Sequence, residues 1–299
     1  MSGPVEPWLA PARRRAAARE TMTRRPSPSA AIALVLTACL VAGCGSLFGS
    51  DKAALVNNDP PDVIYGQAEA MVDKGKYKEA ARQYEEVDIN HPYSQEARRA
   101  IVMAAYAYYR AGQYDDAVSA ADRYLTLHPG THESDLAQNI VGMSYYDQVL
   151  DPKRDQTYAR RALAAYDTLI QRYPNSRYAA EAANRARVLR DLLAANEMQI
   201  GRYYLRKNNF LAAINRFRTV VTTYQTTEQV EEALMRLTEA YMALGIVNEA
   251  QTAAAVLGHN FPDSRWYKHA YSLLGKRGLE PQQHEGSWIT KTWKGAGQA

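Results

Sequence analysis

The segment Gly75-Lys76-Tyr77-Lys78-Glu79-Ala80 returns 37 residues later as Gly112-Gln113-Tyr114-Asp115-Asp116-Ala117. An aromatic and a proline trail each copy, Tyr84 and Pro92 in the first, Tyr124 and Pro129 in the second. Near the C-terminus Gly245, Ala250, Leu257 and Pro262 keep the same spacing. Asn208-Asn209-Phe210, Ala213 and Phe217 give a further copy, with Gln225 where proline would fall, and Ala162, Tyr166, Leu169 and Pro174 give the second half of another. The glycine suits a tight turn between two helices, the alanine their close approach, the aromatic the next packing layer, and the proline the end of the second helix. A unit this short cannot bury a core by itself, so such units must stack. No segment alternates like a strand over more than a few residues. The fold class these offsets predict is all-α, a solenoid of about five helix-turn-helix units.

The offsets resemble those of the tetratricopeptide repeat. Spacing departs from that repeat in two places. Pro129 and Pro174 are 45 residues apart, with the polar insertion 151–156 (DPKRDQ) between helices. Residues 176–206 contain no helix breaker except Gly201, which predicts one long helix. Ser94, Ser176 and Ser264 each follow a proline by two positions and are candidate N-caps. Ordered structure is expected to begin at Asp59-Pro60-Pro61-Asp62, because proline is tolerated in a first helical turn. The repeat domain then runs over 59–275, and the Gly/Gln/Lys-rich remainder, 276–299, reads as a disordered tail.

The first fifty residues read as an address. Arg24 and Arg25 precede the apolar run 30–41, which is too short to span a bilayer, since spanning takes about 20 apolar residues. Its length is that of a signal-peptide core. The run ends in Leu40-Val41-Ala42-Gly43-Cys44, where small residues before a cysteine resemble the bacterial lipobox. On that reading residues 1–43 are removed, with Met22 an alternative start, and Cys44 carries a diacylglycerol and an N-acyl chain. Residues 44–58 form a tether, and Gly45, not Asp, after the cysteine directs the chain to the periplasmic face of the outer membrane. The competing reading is an ordinary signal peptide with an incidental cysteine. Several acyl chains anchor a protein stably where one does not.

Charge and chemistry exclude much else. From residue 44 onward the chain holds 30 basic and 30 acidic residues, so no phosphate-backbone footprint is visible and nucleic acid is not an expected partner. Cys39 and Cys44 are the only cysteines, leaving no thiolate zinc site or disulfide in the repeats. His128 and His132 flank Pro129-Gly130 and cannot share a helix face. No phosphate loop, nucleophile elbow or His-Glu-x-x-His occurs, so no enzyme activity, metal or cofactor is expected.

Several stretches, in order, resemble the BamD (ComL) family: residues 58–65 (NDPPDVIY), Ala107-Tyr108-Tyr109-Arg110, 120–124 (AADRY), 173–179 (YPNSRYA) and Gly201-Arg202-Tyr203-Tyr204. The resemblance covers about residues 44–275. It includes the insertion in repeat three and the long helix opening repeat four, and departs from the family at Gln225 and His91. It implies a non-catalytic outer-membrane lipoprotein of the β-barrel assembly (BAM) machine. The C-terminal repeats would dock the last POTRA domain of BamA. The N-terminal repeats would receive the C-terminal β-signal of unfolded outer-membrane proteins. The family's Asn-Arg dipeptide, which ion-pairs with BamA, falls on Asn215-Arg216. A different periplasmic repeat lipoprotein, serving pilus secretin assembly or cell-wall enzyme regulation, is the rival.

The chain has 21 tyrosines against 4 phenylalanines, many at packing or groove positions of the repeats. In the repeat's register Tyr65, Glu69, Arg99, Tyr106, Tyr109 and Arg110 face the concave side. Tyrosine rings there would hold the aromatic end of a β-signal, and Arg99 or Arg110 its carboxylate.

Overall fold

A computed structural model describes residues 59–296, which lie within one unit, Asn57–Ala299. The leader, Cys44 and the tether expected over 1–58 lie outside the described residues.

Ten helices form five antiparallel hairpins: α1 (Pro61–Asp73) with α2 (Tyr77–Asn90), α3 (Gln95–Arg110) with α4 (Tyr114–Leu127), α5 (Ser134–Tyr146) with α6 (Thr157–Arg172), α7 (Ala179–Arg206) with α8 (Phe210–Thr223), and α9 (Val230–Ala243) with α10 (Val247–Asn260). Two more, α11 (Arg265–Gly275) and α12 (Trp288–Ala296), close the C-terminal end. Each of the ten hairpin helices packs on its neighbours in the chain, α12 packs on α10, and first helices of successive hairpins also touch, α1 with α3 and α3 with α5. That is the all-α repeat solenoid the offsets predict. The described residues include no strand.

The turn glycines behave as the sequence requires. Gly75, Gly112 and Gly245 have φ of 71°, 74° and 75°, and the fourth hairpin places Asn208 there at φ 56°. Asparagine is among the few side-chain-bearing residues that accept this region. All four turns close identically: the amide of Gly75 reaches Val72 O and that of Lys76 reaches Met71 O, and Asn208 and Asn209 do the same to Leu205 and Tyr204. This double bond is the Schellman end of a helix.

The second helices bury one stripe. Ala80, Ala117, Ala162, Ala213 and Ala250 are wholly buried, as are the residues four further on: Tyr84, Ala121, Tyr166, Phe217 and Ala254. Seven further on come Val87, Tyr124, Leu169, Val220 and Leu257, also wholly buried. Tyr124 therefore occupies the layer of Val87, not that of Tyr84 with which the sequence paired it. Against two of the three large rings in the layer four positions on, Tyr166 and Phe217, the facing helix supplies glycine. A Cβ at Gly142 would lie 2.6 Å from Tyr166, and one at Gly201 only 2.4 Å from Phe217.

Ser94 and Ser264 cap α3 and α11, accepting from the amides of Ala97 and Trp266. Ser176 does not cap α7. That helix starts at Ala179, and Ser176 closes the preceding turn while its hydroxyl donates to Asp135 at 2.7 Å. The missing proline at Gln225 leaves the loop intact, because the Thr227 hydroxyl closes it onto Tyr224 O at 2.7 Å.

The tail departs most from expectation. Residues 279–293 fold back on repeat five instead of standing free. Ile289 is wholly buried, Trp288 donates to the Tyr241 hydroxyl at 2.8 Å, and Gln251 donates to Glu280 O. Polar composition hid three apolar anchors, Trp288, Ile289 and Trp293, spaced for one helix face.

Gly201→Ala is expected to destabilise the chain by about 1–3 kcal/mol through overpacking against Phe217. That lowers Tm by several degrees in a thermal circular-dichroism scan, and the double change with Phe217→Leu should recover part of the loss. A Gly201→Ala chain as stable as wild type would refute the close-approach reading.

Candidate functional site

Helix α3 carries four of the residues singled out for the groove, and the structure divides the six into two clusters along it. In the first, Tyr65 is only 7% exposed and stands edge-on to Tyr84 at 5.2 Å. It is a core residue, with burial raising its pKa. Arg99 lies over its ring at 5.3 Å, and Glu69 is exposed nearby on α1.

The second cluster is built on Arg110, the last residue of α3. Its guanidinium donates to the Tyr106 hydroxyl at 2.7 Å and to the Tyr77 hydroxyl at 2.8 Å, and lies 4.6 Å from the Tyr77 ring centre. Tyr106 sits one turn back on the same helix, and Tyr77 is the first residue of α2. Tyr109 points the other way, donating to Asp147 at the end of α5 at 2.8 Å. Burial, then that bond, pushes the Tyr109 pKa up to about 12.

The charges matter more than the rings. Among the described residues neither Arg99 nor Arg110 forms an ion pair, although eight such contacts join other arginines to carboxylates. Phenols hold the Arg110 fork in place without neutralising it. A planar guanidinium so oriented is suited to a carboxylate, with tyrosine faces beside it for an aromatic side chain.

Arg216 belongs to a different region. It lies on α8 one residue before buried Phe217, its side chain is 43% exposed, and it pairs with Glu197 of α7 at 3.1 Å. Around it opens a cleft of about 560 Å³ between α7, α8 and the insertion after α5. The Asn196 amide donates to Pro152 O at 2.6 Å and pins that insertion against α7. Lys153, Arg154, Arg160 and Arg206 add positive charge to the rim, against Asp155 and Glu197. The exposed Tyr203 offers a ring in the same cleft.

Arg216, three residues after buried Ala213 and one before buried Phe217, stands beside the buried stripe. The internal partner Glu197 and the insertion as a cleft wall went unseen in sequence reasoning. Only the bases within 151–156 and the 45-residue spacing hinted at the latter. Tyr77 and Asp147, which hold Arg110 and Tyr109, come from neighbouring hairpins that no local motif connects.

Among the described residues no group of His, Cys, Asp or Glu is arranged to hold a metal ion, and no helix is long and apolar enough to cross a membrane. A stacked-hairpin scaffold with a cationic tyrosine cluster at one end and a basic cleft at the other defines a helical-repeat binding protein. The YfiO family, described as outer membrane lipoprotein, has a sequence model that matches residues 57–257, and the chain belongs to that family. Three relatives carry the name outer membrane protein assembly factor BamD. The Caulobacter vibrioides protein is 42% identical over 85% of this chain and 83% of its own length. That of Rickettsia prowazekii is 37% identical over 80% and 96%. That of Neisseria meningitidis serogroup A is 35% identical over 80% and 92%.

The Tyr109–Asp147 contact carries a pH signature. The fold favours the neutral phenol, so its contribution is whole below about pH 10, the ordinary tyrosine value. It fades as pH climbs through about 12. Tyr109→Phe should remove one late-titrating phenol from the ultraviolet absorbance titration and leave neutral-pH helix content unchanged. An unchanged titration would show that Tyr109 is not the perturbed group.

Proposed function

We propose that this chain is an outer-membrane protein assembly factor: a lipid-anchored, non-catalytic subunit of the BAM complex on the periplasmic face. Its C-terminal repeats dock the last POTRA domain of BamA through Arg216, and its N-terminal repeats receive the C-terminal β-signal of unfolded barrel proteins. What supports this reading is the family membership over most of the chain. Within the site, it is the Arg110 guanidinium, held by Tyr106 and Tyr77 with no carboxylate of its own. An extended peptide ending in an aromatic residue and a free carboxylate matches that cluster group for group. Tyr109 stands beside it, Arg99 is a second unpaired cation one cluster away, and Tyr65 and Glu69 frame Arg99. The anchor is a diacylglycerol and N-acyl chain on Cys44.

Three outcomes test the parts. A Cys44→Ala chain should take up no palmitate; persistent labelling refutes the anchor. A β-signal peptide should bind the full chain, and either Arg110→Ala or amidation of the peptide's carboxylate should weaken it, each by about tenfold or more for a desolvated charge pair. Equal binding of amidated and free peptides would refute the carboxylate role.

Arg216→Glu should weaken BamA association at least about tenfold if the contact is desolvated. That change also sets two carboxylates together, because Glu197 is 3.1 Å away. The swap Glu197→Arg with Arg216→Glu keeps an internal ion pair and is the control. Loss of binding in both, with unchanged melting temperature, assigns the effect to BamA, and a charge-reversed acidic partner on the POTRA domain should partly restore it. Wild-type affinity of the swap would refute the role.

A further inference from the structure

The second helices of the hairpins end, and the first helices begin, at one common edge of the stack. At that edge the first two repeats leave large apolar side chains in water. Ile89, next to last in α2, is 73% exposed; Tyr93, in the following loop, is 100% exposed; Leu127, the last residue of α4, is 57% exposed. Tyr93 and Leu127 line one open groove of about 610 Å³, floored by the buried Ile101 and bordered by Pro92. Val63, in the first turn of α1 at the same edge, is 43% exposed. Asp88, the carboxylate bordering the groove, is paired with Arg123 at 2.9 Å. The patch therefore can leave water without stripping a lone anion of its counter-charge. Tyr93 sits where loop positions are ordinarily polar, and monomeric proteins seldom cluster such exposed apolar side chains without a partner.

The chain itself says where that partner lies. Asp59 O bonds the His91 ring at 2.9 Å, two residues from Tyr93, so the N-terminal segment leaves the fold beside the patch. Cys44 precedes Asp59 by 15 residues, a reach of at most about 50 Å even fully extended. We propose that this edge is a membrane-facing surface: Ile89, Tyr93 and Leu127 seat in the headgroup region of the phospholipid leaflet that holds the acyl chains of Cys44. Tyrosine is well suited to that depth, with an apolar ring and a hydroxyl that stays hydrated. Contact at a second point fixes the orientation of the solenoid over the bilayer, and a tether so short keeps the surface within reach. The inference rests on the lipid-anchor reading above.

The mature lipidated chain offers no free thiol beyond the modified Cys44, which permits a site-specific probe. A nitroxide on Tyr93→Cys, in full-length lipidated protein reconstituted into phosphatidylethanolamine/phosphatidylglycerol vesicles, should show an oxygen-over-nickel accessibility ratio severalfold above that of a water-exposed label on the same protein. The same label on Tyr271→Cys, 48% exposed on α11, should stay aqueous. Adding Ile89→Ser and Leu127→Ser should return the Tyr93→Cys label to water. If the protein floats with vesicles and the Tyr93→Cys label remains aqueous, the anchor stands and the membrane-facing patch is overturned, a protein partner being then its occupant. If the protein does not float, the anchor reading fails and this inference falls with it.

Discussion

The close approach of the two helices in each hairpin is the contact on which the rest depends. It is made by a wholly buried alanine near the start of each second helix and by size matching one turn later. Gly142 faces Tyr166 and Gly201 faces Phe217 at distances no side chain would fit. In a stack whose units touch only their neighbours, the rotation of each hairpin on the last is set locally, and errors accumulate along the length. The lateral placement of Arg110 against Tyr77, or of Arg216 against Glu197, is therefore a consequence of the packing layer beneath it. The long helix α7 adds rigidity where the register changes, because it carries both Gly201, which admits Phe217, and Glu197, which holds Arg216.

The same residue types serve different ends in the two halves. Three arginines of repeats four and five are tied to carboxylates: Arg202 to Glu232, Arg236 to Glu232 and Glu239, Arg216 to Glu197. Arg99 and Arg110 of α3 rest on tyrosines instead, and a phenol in its neutral form satisfies hydrogen bonds without cancelling charge. An ion pair at a half-exposed site contributes little to stability, typically under about 1 kcal/mol. Exchanging such pairs for tyrosine contacts on α3 thus costs the fold little and leaves two cations available. The excess of tyrosine over phenylalanine follows from this as well as from packing. Tyr84, Tyr124 and Tyr166 fill the core, while Tyr77, Tyr106 and Tyr109 have their hydroxyls engaged by charged groups.

Most of the fold was legible because turn glycine, packing alanine and terminal proline are each dictated by backbone physics at a fixed offset. Asn208 was readable for the same reason, being one of the few residues able to take the glycine's place at positive φ. What lay hidden was set by contacts between hairpins. Tyr84 and Tyr124 look alike in sequence, yet an offset of four from the alanine and one of seven lie in different layers. Tyr65 had the position of a groove residue and became core because α3 and Tyr84 close over it. Arg216 was legible from its place beside a buried phenylalanine, but Glu197, 19 residues earlier, was not. Ser176 misses the cap because α7 starts three residues later, at Ala179, so the Ser176 hydroxyl closes the preceding turn onto the Tyr178 amide while donating to Asp135.

The C-terminal segment shows how a difference between repeats goes with a different contact. In the first pair of hairpins Tyr108, four residues before the turn glycine, donates to Glu85, the ninth residue of the preceding helix α2, at 2.7 Å. The corresponding residues at the far end are Tyr241 and Arg218. Arginine cannot accept the tyrosine's proton, so the bond that seals the first interface is unavailable at the last. Trp288 takes the vacant place: its indole N–H donates to the Tyr241 hydroxyl at 2.8 Å, and Arg218 stacks on its ring at 4.7 Å. One aromatic thus satisfies both residues, as a hydrogen-bond donor at its edge and a cation acceptor on its face. Ile289, wholly buried beside it, adds the apolar anchor that holds the segment down. A terminal repeat lacks the neighbour that would cover its outer face. Here that cover comes from residues beyond the family match, seated on an arginine where the first hairpin has a glutamate.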